Sequence, residues 1–318
     1  MPPIGFAVSL PEHVERFDPI RRRIAGSGFV LVPGRWPGRV DSRALTRQAV
    51  RAAGAPFAWE EPYAELDLVL FHGECTPAKL TPFLRQSTGL LRWYDGHGSG
   101  GPVADLPGFV SAPGWVESTS CPVVGDPRLE SGRDEGASGR ARAALGLSDA
   151  DRPLLVLAFE RPLSWPWAES IARLRSEFDL VVSPSSRARL INPRSSRRLT
   201  GPGIHFGAGA AFADLLAAAQ LCLTDSPAVA WDALSLATPA VCLRDGGPVL
   251  GASGRNVLDG LVQVDWPDHL PAVVAETLRA PLLEPTRAFR ALPRLGRPSH
   301  TIAQALLGSY ASIVSGSR

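Results

Sequence analysis

Leu221-Cys222-Leu223-Thr224-Asp225-Ser226-Pro227-Ala228-Val229-Ala230-Trp231-Asp232-Ala233-Leu234-Ser235-Leu236-Ala237-Thr238-Pro239-Ala240-Val241-Cys242-Leu243-Arg244-Asp245 is the stretch that decides the fold. The apolar run Leu221 to Leu223 reads as a buried strand. It stops at Thr224-Asp225-Ser226-Pro227. Serine before proline predicts a helix start, because Ser226 caps free backbone N–H groups and Pro227 in the first turn loses no hydrogen bond. The helix runs to about Ala237, Pro239 ends it, and Ala240 to Leu243 is the next strand. Such a turn aims backbone N–H groups and the positive helix end at the mouth of a parallel sheet, where phosphate binds well. Asp232, six residues after Ser226, can accept hydrogen bonds from sugar hydroxyls. An ordinary βαβ unit with a capped helix fits the same residues.

The alternation extends in both directions. Before it come strands at Ile4–Ser9, Phe29–Val32, Leu66–Phe71 and Leu90–Tyr94, with helices at Glu12–Ala25, Ser42–Ala53 and Pro77–Arg85 between them. Phe109-Val110 and Pro122–Val124 read as further short strands. The polar stretch Pro127–Asp151 reads as a linker with one short helix near Ala141–Leu147. Beyond it the theme repeats, with strands at Leu154–Phe159, Leu180–Val182, Ile204–Phe206 and Val262–Val264. Helices are expected at Trp167–Glu177, Phe212–Ala219, Leu270–Leu278 and His300–Val314. Alternation of this kind predicts α/β architecture, two Rossmann-like domains facing a central cleft. The expected division is 1–130, a linker at 131–150, 151–298 for nucleotide binding, and a final helix at 299–318 packing back on the first domain. Ligands of open α/β sheets bind at the carboxyl ends of the strands.

Composition narrows the class. The chain has 318 residues, 45% hydrophobic and 20% charged, with a net charge of +2. That balance suits a globular protein and argues against a nucleic-acid partner. Lys79 is the sole lysine; arginine runs such as Arg21-Arg22-Arg23 read as solvated faces. Cys75, Cys121, Cys222 and Cys242 have no metal-binding spacing and read as reduced thiols of a cytoplasmic protein. No apolar run is long enough to span a membrane. No metal is expected, and a homodimer is an open expectation.

Two strand ends carry candidate chemistry. His72-Gly73-Glu74-Cys75-Thr76-Pro77 follows one strand and Asp95-Gly96-His97-Gly98 the next. His72, Glu74, Asp95 and His97 would then project together into the cleft, as material for general acid–base work. Two carboxylates held close would have their proton affinities pushed apart, one serving as base and one as acid. Helix capping by Glu74 and Asp95 fits the same pattern. Arg244, at the end of Ala240–Leu243, could meet a phosphate, with glycines beside it for close approach.

These residues resemble a known group. Leu66-Asp67-Leu68-Val69-Leu70-Phe71-His72-Gly73-Glu74-Cys75-Thr76 looks like the strand ending in H-G-D-T of non-hydrolysing UDP-N-acetylglucosamine 2-epimerases. Tyr94-Asp95-Gly96 resembles their V-E-A-G. Thr224-Asp225-Ser226 through Pro239, with Leu243-Arg244-Asp245, resembles T-D-S-G-G…L-G-K-P-V-L-x-L-R-D, and Pro11-Glu12 echoes R-P-E. Asp232 to Pro239 is similar to the E-A-x-x-x-G-x-P of transferases whose acidic residue binds the nucleotide ribose. CDP-glycerol-dependent transferases share Thr224-Asp225 and Trp231-Asp232. The chain departs from these patterns at Pro227 and Ala228, where the epimerases have paired glycines. It departs again at Phe159-Glu160-Arg161-Pro162, which lacks the histidine of H-R-x-E-N, and at Leu10 in place of the arginine of R-P-E. The resemblance implies the glycosyltransferase type B fold and a nucleotide-sugar substrate, UDP-linked, with no separate cofactor. It implies proton transfer by Glu74 and Asp95, phosphate binding by Thr224, Asp225, Ser226 and Arg244, and ribose binding by Asp232. A glycosyl or glycerophosphate transferase using His72 or Asp95 as base, and a non-catalytic nucleotide-sugar binder, remain alternatives.

Overall fold

A computed structural model describes residues 4–32, 42–55, 58–59, 66–72, 80, 89–94, 107–110, 121–148, 152–159, 163–183, 201–207, 209–244, 262–279 and 297–316. The chain divides into two compact units: Met1–Arg128 with Leu295–Arg318, and Leu129–Arg294.

The first unit is built on six parallel strands: β1 (Ile4–Val8), β2 (Gly28–Leu31), β3 (Ala58–Trp59), β4 (Leu68–His72), β5 (Gly89–Tyr94) and β6 (Gly108–Val110). Their order is β3-β2-β1-β4-β5-β6. The chain thus runs outward from β1 on one side, then returns to β4 on the other, and β1 pairs with both β2 and β4. Helices α1 (Pro11–Arg21) and α2 (Arg43–Ala52) make two of the crossovers. Side chains alternate along each strand. Leu68, Leu70, Leu91 and Trp93 face a core with Val14, Phe17 and Ile20 of α1, while Val69 and Phe71 face a second cluster containing Leu80. The last helix, Pro298–Gly316, adds Ile302, Ala303 and Leu306 to the first of these cores. It approaches so closely that a Cβ on Gly89 would lie 2.7 Å from Ile313 Cδ1.

The second unit repeats the topology. Strands β7 (Leu154–Ala158), β8 (Asp179–Val182), β9 (Ile204–Phe206), β10 (Leu221–Thr224), β11 (Ala240–Leu243) and β12 (Val262–Val264) are ordered β12-β11-β10-β7-β8-β9. Here the chain turns back between β7 and β10. One face is covered by α3 (Ala137–Leu145), α5 (Phe212–Ala218) and α6 (Pro227–Ser235), the other by α4 (Trp165–Arg173) and α7 (Leu270–Arg279).

Several local expectations are corrected. The stretch 131–150 is not a free linker: α3 lies in it, Ala141 is fully buried in the second core, and Arg140 grips Asp214 of α5 with two hydrogen bonds of 2.8 and 2.9 Å. Helix α1 stops at Arg21 rather than Ala25, with Arg22 as its C-cap. Residues 122–124 form no strand, only an isolated bridge at Val123. The helix expected at 77–85 lies, Leu80 apart, outside the described residues.

Candidate functional site

Each sheet has one place where the direction of winding reverses, and polar residues gather at both. In the first unit that place is the carboxyl ends of β1 and β4. Beyond β1, Ser9 and Leu10 lead into α1, whose first turns carry His13 and Arg16. His72, the last residue of β4, shares a face with Leu68 and Leu70 and therefore points under α1. There its ring stacks on His13, with centroids 4.1 Å apart and planes 22° from parallel. Arg16 Nη1 lies 2.9 Å from His72 Nε2, and Arg16 Nε donates to Asp126 Oδ2 at 3.0 Å. Asp126 Oδ1 in turn accepts the backbone N–H of Arg128 at 2.9 Å. The backbone N–H of Ser9 donates to His13 Nδ1 at 3.3 Å. The Arg16 guanidinium carbon also sits 6.0 Å from the centre of the Trp93 ring, at the outer reach of a cation–π contact. All four polar side chains, His13, Arg16, His72 and Asp126, are buried. A buried guanidinium and carboxylate in contact satisfy each other, and removing either strands a charge, a loss of about 3–5 kcal/mol.

His72 was expected to stand open at the strand end, and it is instead packed beneath α1. His13, Arg16 and Asp126 were not singled out from sequence. Arg16 and His72 are 56 residues apart, Arg16 and Asp126 110 apart. The one local sign was the i, i+3 spacing of His13 and Arg16 directly after a strand. Glu74, Asp95 and His97 lie outside the described residues. The described register pairs His72 with Trp93 on neighbouring parallel strands. Glu74 and Asp95 each follow two residues later in sequence.

In the second unit the reversal point lies at the ends of β7 and β10; Thr224 closes β10, and Asp225 and Ser226 turn into the next helix. Ser226 is the N-cap of α6, with extended backbone, and its hydroxyl accepts from Val229 N–H at a long 3.5 Å. The N–H of Ser226 is taken by Thr224 Oγ1 at 3.0 Å. Pro227 occupies the first turn and brings no N–H. The helix start thus has fewer backbone donors to offer an anion than a start with glycines after the serine. Thr224, Ser226 and Asp232 are buried, and Asp225 is half-buried. Arg244, just past β11, is bonded through its N–H to Val264 O and lies 3.5 Å from Asp265 Oδ1. Two thiols lie beneath the turn. Burial, then the neighbouring Cys242 and the charge of Asp232, push the Cys222 thiol up. Burial and Asp225 push Cys242 up to about 12. Both stay protonated and are not nucleophiles.

No known family's sequence pattern matches the chain. No curated protein matches it in sequence. Solved structures do match in shape. A crystal structure of a UDP-N-acetylglucosamine 2-epimerase aligns over 98% of this chain and 97% of its own, at 15% identity and a TM-score of 0.57. The UDP-GlcNAc 2-epimerase from Neisseria meningitidis, bound to UDP-GlcNAc, aligns over 96% and 99% at 14% identity and a TM-score of 0.57. The wall teichoic acid polymerase TagF, solved with CDPG, aligns over 98% and 90% at 11% identity and a TM-score of 0.60.

The chain has the glycosyltransferase type B fold.

Within that fold the two reversal points are where ligands of open α/β sheets collect. Among the described residues of this glycosyltransferase type B chain, no group of three or more His, Cys, Asp or Glu side chains is placed to hold a metal ion. No helix among them is long and apolar enough to cross a membrane.

Proposed function

We propose that the chain is a nucleotide-sugar-dependent enzyme acting on a UDP-linked sugar by 2-epimerase-like chemistry. The observation that carries this reading is the placement of a polar cluster at each of the two points where the sheets reverse. Thr224, Asp225 and Ser226, with Arg244, would hold the diphosphate, and Asp232 would receive the ribose hydroxyls. Glu74 and Asp95, which follow the paired His72 and Trp93 by two residues each in sequence, would remove and return the proton at C2 of the sugar, with His72 and His97 as hydrogen-bonding groups. Kinship of fold with epimerases, one of them bound to UDP-GlcNAc, supports the choice of substrate class. The reading needs no separate cofactor and a cytoplasmic supply of nucleotide-sugar.

One observation favours a second reading. Pro227 and the Ser226 cap reduce the donors available to a departing diphosphate, which suits a protein that holds a nucleotide-sugar without turning it over. The test is proton NMR of UDP-N-acetylglucosamine incubated with the protein in deuterated water. Loss of the C2 proton signal, abolished in Glu74→Gln and Asp95→Asn, supports the epimerase. Nucleotide release that depends on an added acceptor indicates a transferase. Binding without either signal supports the second reading.

A further inference from the structure

The first reversal point fixes not only where two imidazoles sit but which of their nitrogens carries a proton. A guanidinium has donors and no acceptor. His72 Nε2, 2.9 Å from Arg16 Nη1, is therefore the accepting nitrogen, and the ring proton belongs on Nδ1. His13 is held the other way round. Its Nδ1 accepts the Ser9 backbone N–H at 3.3 Å, so its proton belongs on Nε2. The two rings lie against each other, with centroids 4.1 Å apart and planes 22° from parallel.

We infer that Arg16 is a positioning residue that, anchored by Asp126, locks His72 as the Nδ1–H tautomer and makes it a hydrogen-bond donor rather than a base. The anchor matters because a guanidinium on a flexible stem can rotate away. Asp126 Oδ2 takes Arg16 Nε at 3.0 Å, and Oδ1 is itself fixed by the Arg128 N–H at 2.9 Å. Nη1 is thereby aimed at His72. Burial of all the partners removes the competing water that would otherwise exchange with these bonds.

The consequence for chemistry is specific, and it rests on the reading given under the proposed function. The lone pair of His72 Nε2 is engaged by a cation, and that of His13 Nδ1 by a backbone N–H. Neither accepting nitrogen is available to take a proton from a substrate. Proton abstraction therefore falls to carboxylates. A transferase in which His72 deprotonates an acceptor hydroxyl is incompatible with this lock.

The test is nitrogen NMR of the ligand-free full chain labelled with 15N-histidine, at pH 7.5. The chain has six histidines, and His72→Asn assigns the ring by its missing signals. In the wild type, His72 Nε2 should resonate as an unprotonated, pyridine-like nitrogen and Nδ1 as a protonated one. Arg16→Met should return the ring to the Nε2–H form that an unconstrained imidazole prefers, or to an exchanging mixture. Arg16→Lys, which keeps a cationic donor, should retain the Nδ1–H form. A wild-type ring protonated on Nε2, or an Arg16→Met ring unchanged from wild type, overturns the proposal. Should Arg16→Met fail to fold, the wild-type spectrum still decides which nitrogen accepts, and Arg16→Lys decides whether a donor at this position preserves it. No substrate is present, so the outcome is independent of the C2 exchange experiment, and each idea can fail alone.

Discussion

Replacing Ala237 with glycine should stabilise the second unit. Helix α6 ends in a Schellman turn. Thr238 N–H reaches back to Ala233 O at 3.0 Å, and Ala237 N–H to Leu234 O at 3.0 Å. The residue between the helix and Thr238 must turn left-handed, and Ala237 does so at φ 60°, the one non-glycine residue with positive φ among those described. Glycine is the usual occupant of this position because a Cβ there crowds the following carbonyl. That crowding costs an L-residue about 1–2 kcal/mol. The Ala237 side chain is exposed, so its methyl returns little by burial. Glycine has a looser unfolded chain, which takes back about 0.4–1 kcal/mol. The net gain should be about 0.5–1 kcal/mol, or roughly 1–4 °C in Tm. Urea unfolding of Ala237→Gly should move the midpoint upward with an unchanged slope. A midpoint that stays put or falls would refute the reasoning, since it would mean the strain is absorbed elsewhere in the turn. Ala237→Val should shift the midpoint down, because a β-branched residue resists positive φ more strongly.

Other outcomes follow from single contacts. Gly132→Ala should destabilise by about 1–3 kcal/mol in chemical denaturation, because a Cβ there would lie 2.6 Å from Ala213 O and 2.9 Å from Leu236 Cδ1. Leu306→Ala, at a fully buried position of the first core, should cost about 2–5 kcal/mol by the same measurement. Stability should fall on the alkaline side. The folded state keeps the Cys242 proton up to about 12, while the unfolded chain gives its own up near 9, so the loss begins at about pH 9 and grows toward about pH 12. At pH 10 Cys242 alone accounts for roughly 1 kcal/mol. Urea midpoints at pH 8 and 10 should show the fall, and Cys242→Ala should flatten it; equal slopes in both proteins would discount the thiol. Calorimetry with UDP should show Asp232→Ala weakened more than Ser226→Ala. Unchanged affinity in Asp232→Ala would remove the ribose assignment.

Much of the architecture was legible because strands buried on both faces leave continuous apolar runs. Leu154–Ala158 and Leu221–Thr224 are of that kind, and serine before proline marks the start of α6. Strand β3 went unseen because two residues, Ala58 and Trp59, carry no period. The stretch 131–150 looked like a linker because α3 is held by small side chains and by the Arg140–Asp214 pair, neither of which produces an apolar stripe. Helix α1 hides its buried face in the same way. Arg16, Asp18 and Arg21 are charged yet buried, and Arg21 Nε donates to Asp18 Oδ1 at 2.8 Å. The Thr224-Asp225-Ser226 turn could be located from local sequence. The Asp126–Arg16–His72 chain could not, because its partners come together only when β1, β4 and the segment after β6 are assembled.

The helix Pro298–Gly316 supplies Ile302, Ala303 and Leu306 to the core of the first unit. On the ribosome, that unit therefore meets its last core residues only after all of 129–294 has been made. At roughly 5–20 residues per second the delay is on the order of 10–30 s. For that interval the α1 side of the first sheet lacks its covering helix, while the second unit, continuous in sequence, can already close. The nascent chain should thus present one finished unit and one with exposed apolar surface, which makes the first unit the natural client of chaperones and the first to aggregate when synthesis is cut short.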